Sequence, residues 1–266
     1  MSKPSKALGA PTGTVYLVGA GPGAPDLLTL RAARLLERAD AVFHDALVHP
    51  ETLALAVRAK KIAVGKRCGR HSTAQKFINK RLIDAASKYS TVVRLKGGDP
   101  MLFGRAQEEI DALQAAGIRY EVVPGVTAAL AASAALGIAL TQRGFARSLS
   151  LVTPRVGDGA RPSDWAKSIA ASDSGAIYMG VGQAREIADS LRAAGLSASM
   201  PVAVVENTSL AQSRTIFTTL AELPNVAGET LTGPAVMLIG AQFAAAASAD
   251  ADHSMPLLPL VAGGVK

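Results

Sequence analysis

The sequence predicts an α/β protein of two α/β domains, the first with a mostly parallel sheet and the second with a mixed sheet. In the first half, short β-branched runs alternate with helical patterns, an order typical of parallel strands with right-handed crossovers. In the second half, two strand patterns are separated by only a short turn, which predicts one antiparallel pair. The composition is 49% hydrophobic, 18% charged and 4% aromatic, as expected for a core of small aliphatic side chains.

Five strands are predicted in the first half, at 14–18, 41–44, 61–64, 91–95 and 120–123. Helical spacing predicts helices over 26–38, 72–88 and 103–116. The uncharged residues 122–140 would be long enough to cross a membrane. Pro124, Gly125 and Gly137 interrupt this stretch, and it is rich in alanine, so we expect a buried loop and helix there.

Strands in the second half are predicted at 148–153, 175–179, 202–206, 214–218 and 235–239, with helices at 164–170 and 182–194. The predicted organisation is a flexible leader at 1–13, an N-terminal α/β domain at 14–123, an inter-domain linker and helix at 124–146, a C-terminal α/β domain at 147–241 and a weakly ordered tail at 242–266. We expect a cleft between the two domains.

The charge balance favours an anionic partner. Lysine and arginine number 28 against 21 acidic residues, a net charge of +7. No run of five basic residues occurs, so a small acidic ligand is favoured over nucleic acid or a membrane surface. Cys68 is the only cysteine, which excludes an intramolecular disulfide and a cysteine-based metal site. With no apolar signal segment at the start, a cytoplasmic protein is expected.

The first glycine loop, residues 19–24, follows the first predicted strand. Ala24 completes a G-x-G-x-x-A pattern, and Asp45 follows a second strand about 20 residues on, as in dinucleotide-binding proteins. A Rossmann-type oxidoreductase that uses NAD is therefore a serious alternative. Pro22 lacks the N–H that would bind a phosphate, and Asp26 places a negative charge at the helix start. These residues favour a tight turn for another ligand.

Two further loops place glycine and proline between a strand and a helix. In residues 94–105, Gly97 and Gly98 permit close approach of a ligand, and Asp99 either accepts hydrogen bonds from an amine or ribose hydroxyls or caps the following helix. The third loop surrounds Pro124 and Gly125. All three should lie at the carboxyl ends of parallel strands, where open sheets bind ligands.

Six segments together resemble one enzyme family. They are VYLVGAGPGAPDLLTLRA (15–32), VGKRCGRHS (64–72), RLKGGDPMLFGR (94–105), VVPGVTAALAASAALGIALTQR (122–143), YMG (178–180) and PVAVVEN (201–207). The chain is similar, from about residue 14 to 240, to the uroporphyrinogen-III C-methyltransferases, members of the tetrapyrrole methylases.

The resemblance implies a fold of two α/β domains with the cofactor between them. It also implies transfer of methyl groups from S-adenosyl-L-methionine to C2 and C7 of uroporphyrinogen III. The products would be S-adenosyl-L-homocysteine and precorrin-2, a precursor of sirohaem and cobalamin. A small-molecule tetrapyrrole substrate, a homodimer and no metal are expected on the same basis.

Matching motif to motif assigns cofactor contacts to Pro22, Gly97, Gly98, Asp99, Leu102, Thr127, Ala128, Met179, Thr208 and Ala235. The basic side chains expected to bind the eight substrate carboxylates are Arg67, Arg70, His71, Lys96, Arg105, Arg143 and Arg147. Two positions depart from the family pattern: Thr208 stands where glycine is frequent, and Gln142 where histidine is common.

The resemblance places a candidate base at Asp45 and a candidate acid at Lys66. The alternatives are that Asp45 only orders the loop at the strand end and that Lys66 only binds a carboxylate, because alignment of the reactants contributes more than proton transfer to such a reaction. Three alternatives to the assigned function stay open: a later corrin-ring methyltransferase, an NAD-dependent oxidoreductase and a non-catalytic binder of an anionic small molecule.

Overall fold

The computed structural model describes residues 13–64, 71–157, 163–227 and 231–244. It divides into two compact units, of which the first contains the described residues up to Ala128 and the second begins at Ala129. Most of the predicted leader and most of the predicted tail lie outside the described residues. Phe243, assigned to that tail, is fully buried, so the second unit extends beyond the predicted limit at residue 241.

A five-stranded parallel sheet forms the centre of the first unit. Its strands are β1 (Thr14–Gly19), β2 (Ala41–His44), β3 (Lys60–Ala63), β4 (Thr91–Lys96) and β5 (Arg119–Val123). They are arranged in the order β3-β2-β4-β1-β5, and every pairing between them is parallel. The predicted parallel sheet is confirmed, and all five predicted strands lie within one residue of those observed.

Helices pack on both faces of this sheet. Those of the first unit are α1 (Leu30–Arg38), α2 (Pro50–Ala54), α3 (His71–Ala86) and α4 (Ala106–Ala115). One apolar cluster includes Leu17, Leu82 and Leu113, and a second on the opposite face includes Leu36 and Leu95. Both faces of the central strands are therefore buried, as is usual for a parallel sheet.

Two helices of the first unit begin three or four residues later than predicted, and each has a local cause. The predicted helix over 26–38 is a short 3-10 turn, Pro25–Leu27, followed by α1, whose N-cap Thr29 accepts a hydrogen bond from the Ala32 N–H. The helix predicted from residue 103 begins at Ala106, because Phe103 and Arg105 have left-handed backbone angles. The short helix α2 was not predicted.

The second unit contains a mixed five-stranded sheet. Its strands are β6 (Leu149–Val152), β7 (Ser174–Tyr178), β8 (Pro201–Glu206), β9 (Arg214–Thr219) and β10 (Ala235–Gly240), in the order β6-β7-β10-β8-β9. The mixed character is confirmed. The predicted antiparallel pair, β8–β9, is confirmed. Two further antiparallel pairs were not predicted, because β10 lies between β7 and β8 and is antiparallel to both.

The remaining helices are α5 (Ala128–Leu136), α6 (Trp165–Ala170), α7 (Ala184–Ala193) and α8 (Leu223–Ala227). Helix α5 confirms the predicted loop and helix within residues 122–140, and it covers nine residues. Within the described part of the chain, no helix has the length and apolar character needed to span a membrane.

Candidate functional site

Three glycine loops meet at the carboxyl edge of the parallel sheet in the first unit. They are the first glycine loop, of which Gly19 ends β1 and residues 20–24 follow it, the second, whose residues 97–105 follow β4, and the third (124–127), after β5. Gly98 donates its N–H to the Gly21 carbonyl at 2.8 Å, and Gly21 donates back to Gly98 at 3.2 Å. A Cβ on Gly19 would lie 2.6 Å from the Cα of Gly125. The three backbones are therefore in direct contact, which only glycine permits here.

The Asp99 carboxylate holds the second and third glycine loops together. Its Oδ2 accepts the Gly125 N–H at 2.9 Å, and its Oδ1 accepts the Met101 N–H at 2.8 Å. Asp99 does not cap α4, whose N-cap is Arg105. Both carboxylate oxygens already accept backbone hydrogen bonds, so Asp99 acts on the shape of the loops.

The first glycine loop offers few free donors to a phosphate. The Ala20 N–H is bonded to the Lys96 carbonyl at 2.7 Å and the Gly21 N–H to Gly98, while Pro22 has none. The next α-helix, α1, begins only at Leu30. A dinucleotide pyrophosphate normally lies at a helix N-terminus directly after this turn. The structure therefore argues against the dinucleotide alternative.

The second unit brings three other predicted residues to one edge of its sheet. Met179 follows the end of β7, Thr208 follows the end of β8, and Ala235 begins β10. Ala235 pairs with Glu206 and Val236 with Tyr178, which sets these positions side by side. Thr208 is buried and lacks a left-handed φ, so threonine meets no backbone strain at a position where the family often has glycine.

Backbone strain is concentrated in these loops. Among the described residues, five that are not glycine have left-handed φ angles: Phe103, Arg105, Met179, Asn207 and Ser209. All five lie in the loops that follow β4, β7 and β8. Left-handed geometry is unfavourable for most side chains and is typical of ligand-binding segments.

The carboxylate Glu206 fixes the loop that precedes β10. Its Oε1 accepts the N–H groups of Thr232 and Gly233 at 2.7 and 2.6 Å, and Arg214 donates to Oε2 at 2.9 Å. Burial acts to raise the pKa of Glu206, but these hydrogen bonds more than offset it, so its pKa lies below the ordinary value.

A buried ion cluster lies beneath the glycine loops, between β4 and α4. Arg94 donates from Nε to Glu109 Oε1 at 2.9 Å and from Nη2 to Asp45 Oδ1 at 2.6 Å. Lys96 donates to Glu109 Oε2 at 3.0 Å, and Gln75 to Glu109 Oε1 at 3.3 Å. Arg94, Lys96 and Glu109 are each at least 97% buried as side chains, whereas the Asp45 side chain is 32% exposed.

The charges in this cluster perturb one another. Burial and repulsion from Arg94 lower the pKa of Lys96, despite the attraction of Glu109. Burial also acts to lower the pKa of Arg94, but attraction to Asp45 and Glu109 raises it above the ordinary value. The Lys96 ammonium is committed to Glu109 inside the protein, so the expectation that Lys96 binds a substrate carboxylate is not supported by its position.

The other predicted basic residues differ in their surroundings. Arg105 donates to both oxygens of Glu108, at 2.7 and 2.8 Å, which raises the pKa of Arg105 and lowers that of Glu108. Arg143 and Arg147, in the second unit, are exposed. Lys66, Arg67 and Arg70 lie outside the described residues, and for His71 only the backbone is described, at the start of α3.

The remaining cofactor candidates lie on the glycine loops. Pro22, Gly98, Leu102, Thr127 and Ala128 are half-buried, and Gly97 is exposed. A shallow depression of about 500 Å³ between α1 and the sheet, lined by Tyr16, Arg34 and Glu121 among others, contains none of the predicted site residues.

Sequence reasoning missed Arg94 and Glu109. The signal was available, because an arginine and a lysine in the run VVRLK stand where a parallel strand is buried on both faces. Such cations need buried carboxylate partners. The partner Glu109 lies on the buried face of α4, and its separation from Arg94 along the chain gave no direct sign of the pair.

In the described ranges, no three His, Cys, Asp or Glu side chains form a group that could hold a metal ion.

The fold and loops define a class: an α/β protein that presents strained, glycine-rich loops at the carboxyl ends of its strands without a phosphate-binding helix after the first turn. The profile of the Tetrapyrrole (Corrin/Porphyrin) Methylases matches residues 14–224. The chain belongs to this family of methyltransferases.

Three known proteins illustrate the relationship. The native uroporphyrin III C-methyl transferase of Thermus thermophilus is 40% identical, with a TM-score of 0.76, over 86% of this chain and 98% of that one. The form described as complexed with S-adenyl homocysteine is 39% identical, with a TM-score of 0.75 and the same coverage. A siroheme synthase of Chromobacterium violaceum is 45% identical over 86% of this chain and 49% of its own length. The chain thus spans about half the length of the curated relatives it matches.

Proposed function

We propose that this protein transfers methyl groups from S-adenosyl-L-methionine to C2 and then C7 of uroporphyrinogen III, giving precorrin-2 for sirohaem or cobalamin synthesis. The observation that carries the proposal is the interlock of the three glycine loops, which contain family motifs in matching order. Support also comes from the Thermus thermophilus enzyme, which is 40% identical over 86% of this chain.

The cofactor is proposed to lie against the glycine loops of the first unit. Pro22, Gly97, Gly98, Leu102, Thr127 and Ala128 would contact it, while Asp99 would shape the loops that receive it. Motif matching extends the same role to Met179, Thr208 and Ala235 in the second unit. S-adenosyl-L-methionine supplies an electrophilic sulfonium methyl group, so the residues of the chain need only align donor and acceptor and exclude water.

Recognition of the substrate is proposed to depend on arginine. Arg105, on the second glycine loop, is held by Glu108, to which its Nε and Nη2 both donate, and a guanidinium of fixed orientation suits recognition of a carboxylate. Arg143 and Arg147 are exposed and suit the same chemistry. Arg67, Arg70 and His71 remain predicted substrate contacts, and the net charge of +7 favours encounter with a polyanion.

After methyl transfer a proton must leave the tetrapyrrole. Asp45 is proposed as its acceptor, because the carboxylate is partly exposed at the carboxyl end of β2. Lys66 is the proposed acid. A homodimer in the cytoplasm completes the proposal; the resemblance suggests the dimer, and the single cysteine suits a reducing compartment. Analytical ultracentrifugation would test the dimer.

The test is methyl transfer with purified protein, uroporphyrinogen III and methyl-labelled cofactor under anaerobic conditions. Label should enter the tetrapyrrole. Transfer only to an already methylated corrinoid substrate would favour the alternative of a later corrin-ring methyltransferase. Calorimetric binding of S-adenosyl-L-homocysteine without any transfer would favour a non-catalytic binding protein.

A further inference from the structure

We propose that Glu109 is a positioning residue of the methyl-transfer site: its buried carboxylate fixes the Arg94 guanidinium, and Arg94 in turn holds the Asp45 carboxylate at the carboxyl end of β2. This inference rests on the proposed function, since Asp45 is its proposed proton acceptor.

The Arg94 side chain is held in one orientation by hydrogen bonds. All three of its side-chain nitrogens donate: Nε to Glu109, Nη2 to Asp45, and Nη1 to the Leu95 carbonyl at 3.2 Å. A planar guanidinium that is bonded at every nitrogen has one orientation available. Arg94 is therefore a rigid link between a buried carboxylate and a partly exposed one.

Glu109 is itself anchored from two sides. Its side chain is fully buried, on the face of α4 that packs against the sheet. Oε1 accepts from Arg94 and Gln75, and Oε2 accepts from Lys96. Donors from β4 and α3 thus hold it from two sides, and Gln75 is itself bonded to Asn79 at 2.9 Å.

The Asp45 carboxylate is hydrogen-bonded through only one of its two oxygens within the described residues. Its N–H is bonded to the Leu95 carbonyl at 3.3 Å, and its Oδ1 to Arg94 at 2.6 Å. Within the described residues, Oδ2 accepts no hydrogen bond. One oxygen is anchored from inside while the other remains at the exposed strand end, which suits a carboxylate that must meet a ligand in a fixed direction.

The charges within the buried ion cluster balance one another. Arg94 and Lys96 are opposed by Asp45 and Glu109, so the cluster is neutral overall. Buried ion pairs often add little net stability compared with apolar packing, although breaking one leaves a costly unpaired charge. Removing the Glu109 carboxylate leaves two buried cations facing one carboxylate. Arg94 then loses the charged partner of its Nε edge, and a glutamine at 109 offers one neutral oxygen where Arg94 and Lys96 each had a carboxylate oxygen.

The test compares three variants. Glu109→Gln keeps the shape and removes the charge, Glu109→Asp keeps the charge and shortens the reach, and Asp111→Asn is the control. Asp111 is an exposed acid on the same helix, bonded to Gln107. Each protein is measured for kcat and KM with uroporphyrinogen III and for Kd with S-adenosyl-L-homocysteine.

For Glu109→Gln we expect kcat to fall about 10- to 100-fold, the size of loss that misplacement of a reacting group produces, while KM and the cofactor Kd change less than about threefold. Glu109→Asp should recover part of the loss, and Asp111→Asn should match the wild type. An unchanged kcat in folded Glu109→Gln, or equal losses in kcat and cofactor affinity, would overturn the proposal.

A double variant keeps the test decisive if Glu109→Gln does not fold. Glu109→Leu with Lys96→Met removes one charge of each sign and restores the charge balance, but leucine offers Arg94 Nε no acceptor, so Arg94 still lacks its anchor. We expect folding to recover and kcat to stay low. Recovery of kcat together with folding would assign Glu109 to stability alone. A wild-type protein that binds S-adenosyl-L-homocysteine but transfers no methyl group would refute the proposed function instead.

Discussion

Replacing Asp99 by asparagine tests whether the contact between the second and third glycine loops determines cofactor affinity. The side chain keeps its size, but an amide N–H group or a neutral oxygen replaces the carboxylate oxygen that accepts the Gly125 N–H at 2.9 Å. The bond to Met101 can persist through the amide oxygen. The substitution therefore weakens one defined contact between two loops.

The expected magnitude follows from the strength of that bond. A hydrogen bond to a charged group contributes about 1.5–3 kcal/mol. If the cofactor requires the closed arrangement of the loops, the loss appears in its binding free energy, and 1.4 kcal/mol corresponds to about tenfold in Kd. We therefore expect Kd for S-adenosyl-L-homocysteine to rise about 10- to 150-fold.

Isothermal titration calorimetry measures this change directly, and thermal unfolding of the same samples monitors the fold. Asp99 lies on a loop at the edge of the sheet and not in either apolar cluster of the first unit, so the fold should persist, with an unfolding temperature lowered by no more than about 3–12 °C. Asp111→Asn supplies the matched control for loss of a carboxylate. A Kd within about twofold of the wild type would refute the role of the loop contact.

Three further predictions follow from the same structure. Gly125→Ala should abolish binding of S-adenosyl-L-homocysteine in calorimetry, because the added Cβ would collide with the Gly98 carbonyl. In the control, Gly182→Ala, the added Cβ enters open space, so binding should be normal. Normal binding by Gly125→Ala would show that the loops can separate freely. Calorimetric titration with NAD should give no saturable heat, because the Ala20 and Gly21 N–H groups are already bonded within the protein and Pro22 has none; saturable binding would restore the oxidoreductase alternative. Glu206→Gln should lower the unfolding temperature more at pH 7 than at pH 3: the folded pKa of Glu206 lies below its ordinary value of 4.5, so its stabilisation is complete well above that pH and is lost as the pH falls through the folded pKa. An equal difference at both pH values would contradict the assignment.

Local patterns were sufficient to predict most of the elements. The strands are short β-branched runs between turn residues, and this pattern predicted the ten strands of the described residues to within about two residues. Helix starts were harder to place, because the left-handed angles of Phe103 and Arg105 delay α4. The insertion of β10 between β7 and β8 is a pairing of distant segments, and no local pattern specifies such a pairing.

In the candidate site as well, residue spacing predicted the loops but not the contacts between distant residues. Glycine and proline spacing identified the three glycine loops, but it could not show that the Asp99 carboxylate is bonded to Gly125, 26 residues away. Lys96 resembled a ligand-binding cation because it adjoins the glycines, and only the position of Glu109 shows that it is paired within the protein. Distant side-chain partners are set by packing in three dimensions, which residue spacing does not encode.

The mass of the tetrapyrrole product tests the central claim most directly. Purified protein is incubated anaerobically with uroporphyrinogen III and excess S-adenosyl-L-methionine, and the product is analysed by mass spectrometry. We predict the addition of two methyl groups per tetrapyrrole, with a singly methylated species appearing first. A substrate that remains unmethylated while the protein binds the cofactor would contradict the proposed function.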